Sequence, residues 1–248
     1  MNKLRQLLST NAAESRKPVN LVRAEGSSEA TLYIYDVIDA WFGIAAIDVA
    51  KAVSALDAGT TLHVRFNTPG GDVFEGRAIR TALQQFEGRT IGHIDGLCAS
   101  AGTTIADACD EIHISQGAFY MIHNGWTLAM GDKNELKKTV DLLSKVDAAI
   151  VNDYAGRTGK QASQITAWMD AETWFSADEA LSNGFATSLA ALPQKTTNQQ
   201  TQKLWDLSAF DKAPQALLDA KSQPQPKEFD YAAARAHNER RLRVLQIA

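Results

Sequence analysis

Ser100 stands inside Gly96-Leu97-Cys98-Ala99-Ser100-Ala101-Gly102, after an apolar β-type run, Thr90-Ile91-Gly92-His93-Ile94, and before an Ala-rich run from Ala101 to Ala108. The pattern puts it where a strand gives way to the first turn of a helix. Small neighbours let a substrate backbone come close, and free N–H groups at a helix start can stabilise an oxyanion. Such a serine can be a nucleophile or a packing residue, and this stretch alone leaves both open. Hydrolysis by serine also needs a base within hydrogen-bond reach, a group orienting that base, and oxyanion donors. Of the five histidines, His63 and His113 fall on polar faces of alternating strands, His93 is internal to a strand, and His237 is near the C-terminus. Only His123 ends a strand before a loop, Asn124-Gly125-Trp126, where functional groups tend to sit. Cys98 is the competing nucleophile, but Leu97 and Ala99 bring no cation to lower its pKa.

A second stretch has chemical promise. Asn67-Thr68-Pro69-Gly70-Gly71-Asp72 directly follows the alternating run Thr61 to Phe66. Proline sets the turn and the glycines permit positive φ. It reads either as a tight turn or as backbone N–H groups presented to a ligand at a helix start.

The elements that must hold these residues follow from periodicity. Residues 30–35 and 61–66 alternate as strands, and residues 111–115 and 119–124 read as two more. Apolar spacing predicts a helix over 45–56, and another after Gly71 with Phe74, Ala78, Ala82 and Phe86 in one row and Ile79 and Leu83 beside it. Residues 134–154 form the longest helix, with Leu136, Val140, Leu143, Ile150 and Tyr154 as its apolar stripe and Thr158-Gly159 as its stop. A short helix is predicted over 162–169, and Ser176-Ala177-Asp178-Glu179 is a capping-box pattern with Gly184 after the helix it opens. Strands and helices alternate with strand pairs inserted, which is α/β class.

Composition bounds the function. Hydrophobic residues make up 45% and charged residues 22% of 248, a globular profile with room for a sizeable core. The net charge of −4 gives no reason to expect binding to nucleic acid or an anionic membrane. No apolar run is long enough for a transmembrane helix, and residues 1–16 lack the apolar core and cleavage site of a secretory signal. Cys98 and Cys109 read as buried thiols in a reducing compartment, so the expected location is cytoplasmic. No metal-ligand cluster is visible and the Pro-Gly-Gly turn lacks the Lys and Ser/Thr of a nucleotide loop, so no cofactor is expected.

Three parts are expected: a mobile arm over 1–29, a main domain over 30–192, and a polar linker with a helical tail over 193–248. The last part holds a low-complexity run over 194–202, a short apolar piece over 204–218, a Gln/Pro linker over 222–226 and a helix candidate over 231–247 carrying Arg235, Arg240, Arg241 and Arg243.

Taken together and in order, Asn67-Thr68-Pro69-Gly70-Gly71, Ala99-Ser100-Ala101-Gly102, Met121-Ile122-His123, and Phe175 to Ala180 with Gly184-Phe185 resemble the Clp protease proteolytic subunit family, serine peptidases of the ClpP/crotonase fold. Glu172-Thr173-Trp174 and the layout look like its prophage branch, the head-maturation proteases. The resemblance spans residues 30–192. It implies a ClpP/crotonase-like spiral of repeated β-β-α units with a long protruding handle helix. It makes Ser100 the nucleophile, His123 the general base, and the Gly71 and Ala101 N–H groups the oxyanion hole of a serine endopeptidase working through an acyl-enzyme. The family usually has Asp where this chain has Glu172. Register favours Glu172 as third triad member, with Asp170 as the alternative. The resemblance further implies a homo-oligomer of heptameric-ring type and a protein substrate, in the prophage branch capsid or scaffold protein inside a procapsid in the host cytoplasm. The N-terminal arm does not look like the family's axial loops, which argues against an ATPase unfoldase partner. Two other classes are weighed against this one. A crotonase-like acyl-CoA enzyme would share the fold, and a non-catalytic assembly component would use the tail; the Ser100, His123 and Glu172 combination favours the peptidase.

Overall fold

Alternating burial builds the sheet that carries the site. The computed structural model describes residues 3–11, 18–190 and 205–219. In chain order its elements are α1 (Lys3–Asn11), β1 (Asn20–Arg23), β2 (Glu29–Ile34), α2 (Ala46–Ser54), β3 (Thr61–Thr68), α3 (Val73–Gln84), β4 (Thr90–Ala99) and α4 (Ala101–Ala106). They continue as β5 (Glu111–Ile114), β6 (Phe119–Ile122), α5 (Lys133–Thr158), α6 (Ala162–Asp170), β7 (Thr173–Ser176), α7 (Ala177–Ser182), β8 (Ser188–Leu189) and α8 (Gln215–Asp219). In β3, Leu62, Val64 and Phe66 are fully buried while His63 and Arg65 lie on the half-exposed face. The same two-residue period buries Ala30, Leu32 and Ile34 of β2.

The strand order is β1-β2-β3-β4-β5-β8, parallel except for the antiparallel β1. β4 serves two neighbours in turn. Its first half pairs with β5 through Ile91–Ile94 and its second half pairs with β6 through Leu97–Ala99. The register between β3 and β4 shifts after Phe66, and Thr68 then pairs with Cys98. β4 thereby delivers its C-terminal end to a different part of the sheet, and Ser100 comes next.

Helix ends match the signals in the sequence. Asp72 caps α3 by accepting from Phe74 and Glu75 N–H at 2.8 and 2.9 Å. Ser176 and Glu179 form the expected capping box, as do Asp132 and Glu135 at the start of α5. Gly159 ends α5 in the left-handed conformation at φ 68°. The far half of α5 is anchored by Ile150, Val151 and Tyr154, whereas Leu136, Val140 and Leu142 of its first half are exposed, so the helix projects as a handle.

Two contacts, one buried and one part-buried, tie α5 to α4 and its C-cap. Tyr154 Oη lies 2.6 Å from Thr103 Oγ1, and Arg157 bonds Asp107 Oδ1 at 3.1 Å and Asp107 O at 2.9 Å. Burial pushes the Asp107 carboxyl up to about 6, against the pull of Arg157 and Arg80.

Three expectations need correction. The buried row of α3 is Gly76, Ile79 and Leu83, while Phe74 is 60% exposed. Gly76 sits against α4, where a Cβ would come within 3.1 Å of Ala101 Cβ, so the close helix pair selects a glycine and turns the Phe74 row outward. The mobile arm is also structured: α1 buries Leu7 in a second apolar cluster, and β1 pairs with β2. Of the C-terminal part, residues 205–219 pack on that cluster through Trp205, Leu207 and Phe210. The polar run over 194–202, the linker over 222–226 and the helix candidate over 231–247 lie outside the described residues. Among the described residues, no helix is long and apolar enough to cross a membrane.

Candidate active site

The serine turn is assembled from backbone first. Ser100 N–H donates to Met121 O at 2.9 Å and so carries the β4–β6 ladder one residue past its last pair. The chain then turns at once into α4, and Ser100 takes φ 54° and ψ −126°. An L-residue there carries strain of about 1–3 kcal/mol, which persists only where the surroundings enforce it and which marks functional turns. Here Thr103 enforces it, its N–H and hydroxyl both donating to Ser100 O at 2.9 and 2.5 Å. Gly70 at φ 89° closes the other side, so tightly that a Cβ would stand 2.7 Å from Ser100 Cβ.

β6 brings the base. Its last residue is Ile122, and His123 follows with Nε2 2.7 Å from Ser100 Oγ. With the proton on Nδ1, Nε2 accepts from the hydroxyl, as a general base must. Burial, and next the Lys3 ammonium, lower the His123 pKa to about 4, so the ring is neutral at physiological pH.

Donors for an oxyanion lie alongside. Ile38 N–H donates to Gly70 O and Asp72 N–H donates to Ile38 O, at 2.9 and 2.7 Å, which leaves the intervening Gly71 N–H facing the other way. Gly71 has φ 150°, and a Cβ there would fall 2.1 Å from Ile38 O, so only glycine fits. Ala101 is the first residue of α4, where a helix N–H has no intrahelical acceptor. Gly71, Ala101, Ser100 and His123 line one cleft of about 430 Å³, whose far wall is apolar and formed by Leu143, Val146 and Ile150 of α5. That volume suits a ligand side chain or a short peptide stretch.

The acids are placed differently from the sequence reading. Glu172 does not reach His123: its carboxylate accepts from Lys212 N–H at 2.6 Å, Asp211 N–H at 3.1 Å and Trp174 Nε1 at 3.3 Å. Asp170 accepts from Asn124 Nδ2 at 2.7 Å. Among the described residues, no carboxylate hydrogen-bonds to His123. The cause is a segment distant in sequence, residues 211–212, whose free N–H groups attract the nearest carboxylate. Nor does β6 offer an edge to an extended substrate, since β4 and β7 fill both its sides.

Cys98 is no rival nucleophile. It is fully buried, and burial with the nearby Cys109 pushes its thiol pKa well up. Among the described residues, no three His, Cys, Asp or Glu side chains gather to hold a metal ion. Sequence reasoning missed four residues that shape the site. Phe74 lines the cleft mouth. Trp126 and Phe210 pack edge-on against the His123 ring at 5.0 and 5.5 Å between centroids. Lys3 lies over Trp126 at 5.6 Å. Only Trp126, in the loop after His123, had a local signal.

The chain is similar to known proteins in sequence and in fold. An ATP-dependent Clp protease proteolytic subunit from Streptococcus gordonii is 29% identical over 143 residues, covering 56% of this chain and 73% of that protein. The proteolytic subunit 1 from Leifsonia xyli subsp. xyli is 25% identical over 135 residues, covering 54% and 68%. In three dimensions, a ClpP1 mutant from Listeria monocytogenes superposes with a TM-score of 0.58 at 24% identity, covering 65% of this chain and 91% of that one. Residues 44–192 match the Clp protease family. With more than half the chain in that match and the fold shared with ClpP, the protein belongs to the Clp protease family and is a serine-type peptidase with the ClpP/crotonase-like fold.

Proposed function

We propose that Ser100 is the nucleophile of this peptidase and His123 its general base. The observation that carries the reading is the 2.7 Å hydrogen bond between Ser100 Oγ and His123 Nε2, set at a strained strand-to-helix turn. His123 Nε2 takes the hydroxyl proton as Oγ attacks the scissile carbonyl. The oxyanion accepts from Gly71 and Ala101 N–H, and each donor is worth about two to three orders of magnitude in rate. His123 then gives its proton to the leaving amine, and the amine departs from an acyl-Ser100. A water molecule, deprotonated by His123, hydrolyses that ester and restores the hydroxyl. A crotonase-like reading would leave the Ser–His pair without a task.

The substrate is a protein chain, cut internally. Residues 124–130 run along the cleft outside the sheet and offer main-chain groups to an extended peptide, in place of the filled β6 edges. The peptidase unit is residues 30–192, and it works as a homo-oligomer of ring type, a reading supported by the exposed apolar residues Leu136, Val140 and Leu142 on the projecting half of α5. The Glu172-Thr173-Trp174 run and the motif layout support maturation of phage capsid or scaffold protein in a bacterial host.

A fluorophosphonate probe tests the site directly. One adduct on Ser100, absent in His123→Ala, is expected by peptide mass spectrometry. An adduct elsewhere, or labelling that survives His123→Ala undiminished, would sink the assignment. Incubation with capsid and scaffold protein from the same genome, with product termini sequenced, tests the substrate.

A further inference from the structure

The register of the β6–β7 pair says where Glu172 belongs. Phe119 faces Ser176, Tyr120 faces Phe175, Met121 faces Trp174 and Ile122 faces Thr173. The ladder ends there, and the next residue on each side is His123 after β6 and Glu172 before β7, the latter a turn residue whose N–H donates to Met169 O at 3.1 Å. The backbone therefore brings both residues to the same end of the β6–β7 ladder. The side chain goes elsewhere, because Glu172 sits at φ 48° and both its oxygens are taken by Asp211 and Lys212 N–H and by the Trp174 indole.

The segment that takes them is well seated. Trp205, Leu207 and Phe210 are each no more than 5% exposed, buried against Leu97, Ala99 and Met121 on the sheet face that carries His123. Phe210 stacks on Trp126 at 5.4 Å and 12° between planes and meets the His123 ring edge-on. α1 clamps the segment from outside: Gln6 Nε2 donates to Ser208 Oγ at 2.8 Å, Asn11 Nδ2 donates to Asp206 O at 2.8 Å, and Lys3 pairs with Asp211. Neither residues 205–212 nor α1 line the cleft that holds Ser100 and the oxyanion donors. The segment leaves the substrate side open and occupies the acid side.

We propose that residues 205–212 are an intramolecular latch that holds Glu172 on its own backbone and off His123, and that their departure frees Glu172 to complete the triad. The inference rests on the Ser100–His123 reading and deepens it. While the latch is closed, the imidazolium formed when His123 takes the Ser100 proton has no carboxylate behind it, a buried setting and a Lys3 ammonium nearby. All three oppose its formation, in line with the lowered pKa of His123. Replacing the orienting carboxylate of such a triad by its amide costs about 10⁴ in turnover, which bounds what release can restore.

The test is the rate of fluorophosphonate labelling at Ser100 in the full chain. Phe210→Ala removes the buried anchor and is expected to speed labelling by between about tenfold and 10⁴-fold. Adding Glu172→Gln to Phe210→Ala is expected to abolish the gain. Asp211→Lys sets like charges together at a rim where the two side chains are 41% and 71% exposed, so the fold tolerates it. It is expected to speed labelling several-fold, and Lys3→Asp in the same chain to slow it again by restoring an ion pair. That swap also removes a cation near His123, which by itself would speed labelling, so slowing reports the latch. Folded Phe210→Ala and Asp211→Lys chains that label no faster than the unaltered protein would overturn the latch while leaving the serine site standing. So would a gain that survives Glu172→Gln. If no chain labels at Ser100, the serine reading fails and the latch with it. Should Phe210→Ala not fold, Asp211→Lys and its charge swap decide.

Discussion

Gly70→Ala probes how the serine turn is held. A Cβ at this position would lie 2.6 Å from Ala99 O, 2.7 Å from Ser100 Cβ and 3.0 Å from Ala101 N. None of these is the tip of a flexible side chain, so relief must come from moving the turn itself. Gly117 supplies the control: it has a similar φ of 81° and nothing within 4 Å of its Cβ direction. Alanine at Gly117 bears the left-handed backbone penalty alone, about 1–2 kcal/mol. Alanine at Gly70 adds overpacking of about 1–3 kcal/mol, for a total near 2–5 kcal/mol. For a chain of this size those losses lower Tm by roughly 2–8 °C and 4–20 °C respectively. The rate separates the two further. Displacing a reacting atom by about 1 Å costs about 10² in rate, so fluorophosphonate labelling of Ser100 should fall about a hundredfold in Gly70→Ala and stay unchanged in Gly117→Ala. Calorimetry and timed labelling on the two variants read both quantities. Equal labelling rates in the two variants would refute the claim that Gly70 braces the nucleophile.

Further expectations follow from the buried charges. His123 and His93 both have pKa values lowered to about 4, His93 by burial and then by His63. Each is neutral when folded and protonated when unfolded between about pH 4 and 6.5. Stability contributed by these two is therefore complete above pH 6.5 and falls as pH drops toward 4, by up to about 2.7 kcal/mol per pH unit for two protons, which a pH series of urea melts would show. The labelling rate should hold down to about pH 5 and halve near pH 4, with the midpoint moving upward in Phe210→Ala as the ring gains a carboxylate partner. Arg157→Ala strips the main partner from Asp107, whose side chain is 2% exposed, and should cost about 3–5 kcal/mol at pH 8. The loss should be smaller at pH 5, because a carboxyl already pushed up to about 6 can protonate, and equal losses at both pH values would contradict the buried charge. Asp170→Asn keeps an acceptor for Asn124 on an exposed bond, so labelling should change by less than about threefold; a 10⁴-fold drop would make Asp170 the carboxylate behind His123.

Local patterns were legible in the sequence where one residue's environment is set by its near neighbours. The alternation in Thr61 to Phe66, the capping box at Ser176 and the glycine stop at Gly159 each correspond to an observed element. The α3 row misled for a definite reason. Periodicity scores Phe74 as apolar and Gly76 as nothing, whereas packing against Ala101 rewards the absence of a side chain. A helix face that must approach another backbone closely is invisible to a hydrophobicity count. The N-terminal residues misled in a related way. Lys3 to Asn11 looks polar because its partners, Asp206, Ser208 and Asp211, lie some 200 positions away, and a polar helix side reads as solvated until they are in place.

The same division explains the site. Ser100 and His123 were readable because their placement depends on two adjacent strands, β4 and β6, and on a turn that small residues announce. Gly71 was readable as a turn residue, though its exclusion of any Cβ depends on Ile38, which no local pattern marks. For Glu172 the contact expected from the sequence is not the one the structure shows. The β6–β7 ladder ends at Ile122 and Thr173, one residue short of His123 and Glu172, and the Glu172 carboxylate turns to two backbone N–H groups at Asp211 and Lys212. An amide N–H facing a carboxylate makes a strong charge-assisted bond, and two of them outcompete one neutral imidazole. A carboxylate at the end of the ladder yet engaged elsewhere is what a competition between intramolecular donors produces. On the latch proposal, the outcome of that competition turns on whether residues 205–212 stay seated, with Phe210 against His123 and Lys3 on Asp211 as their anchors.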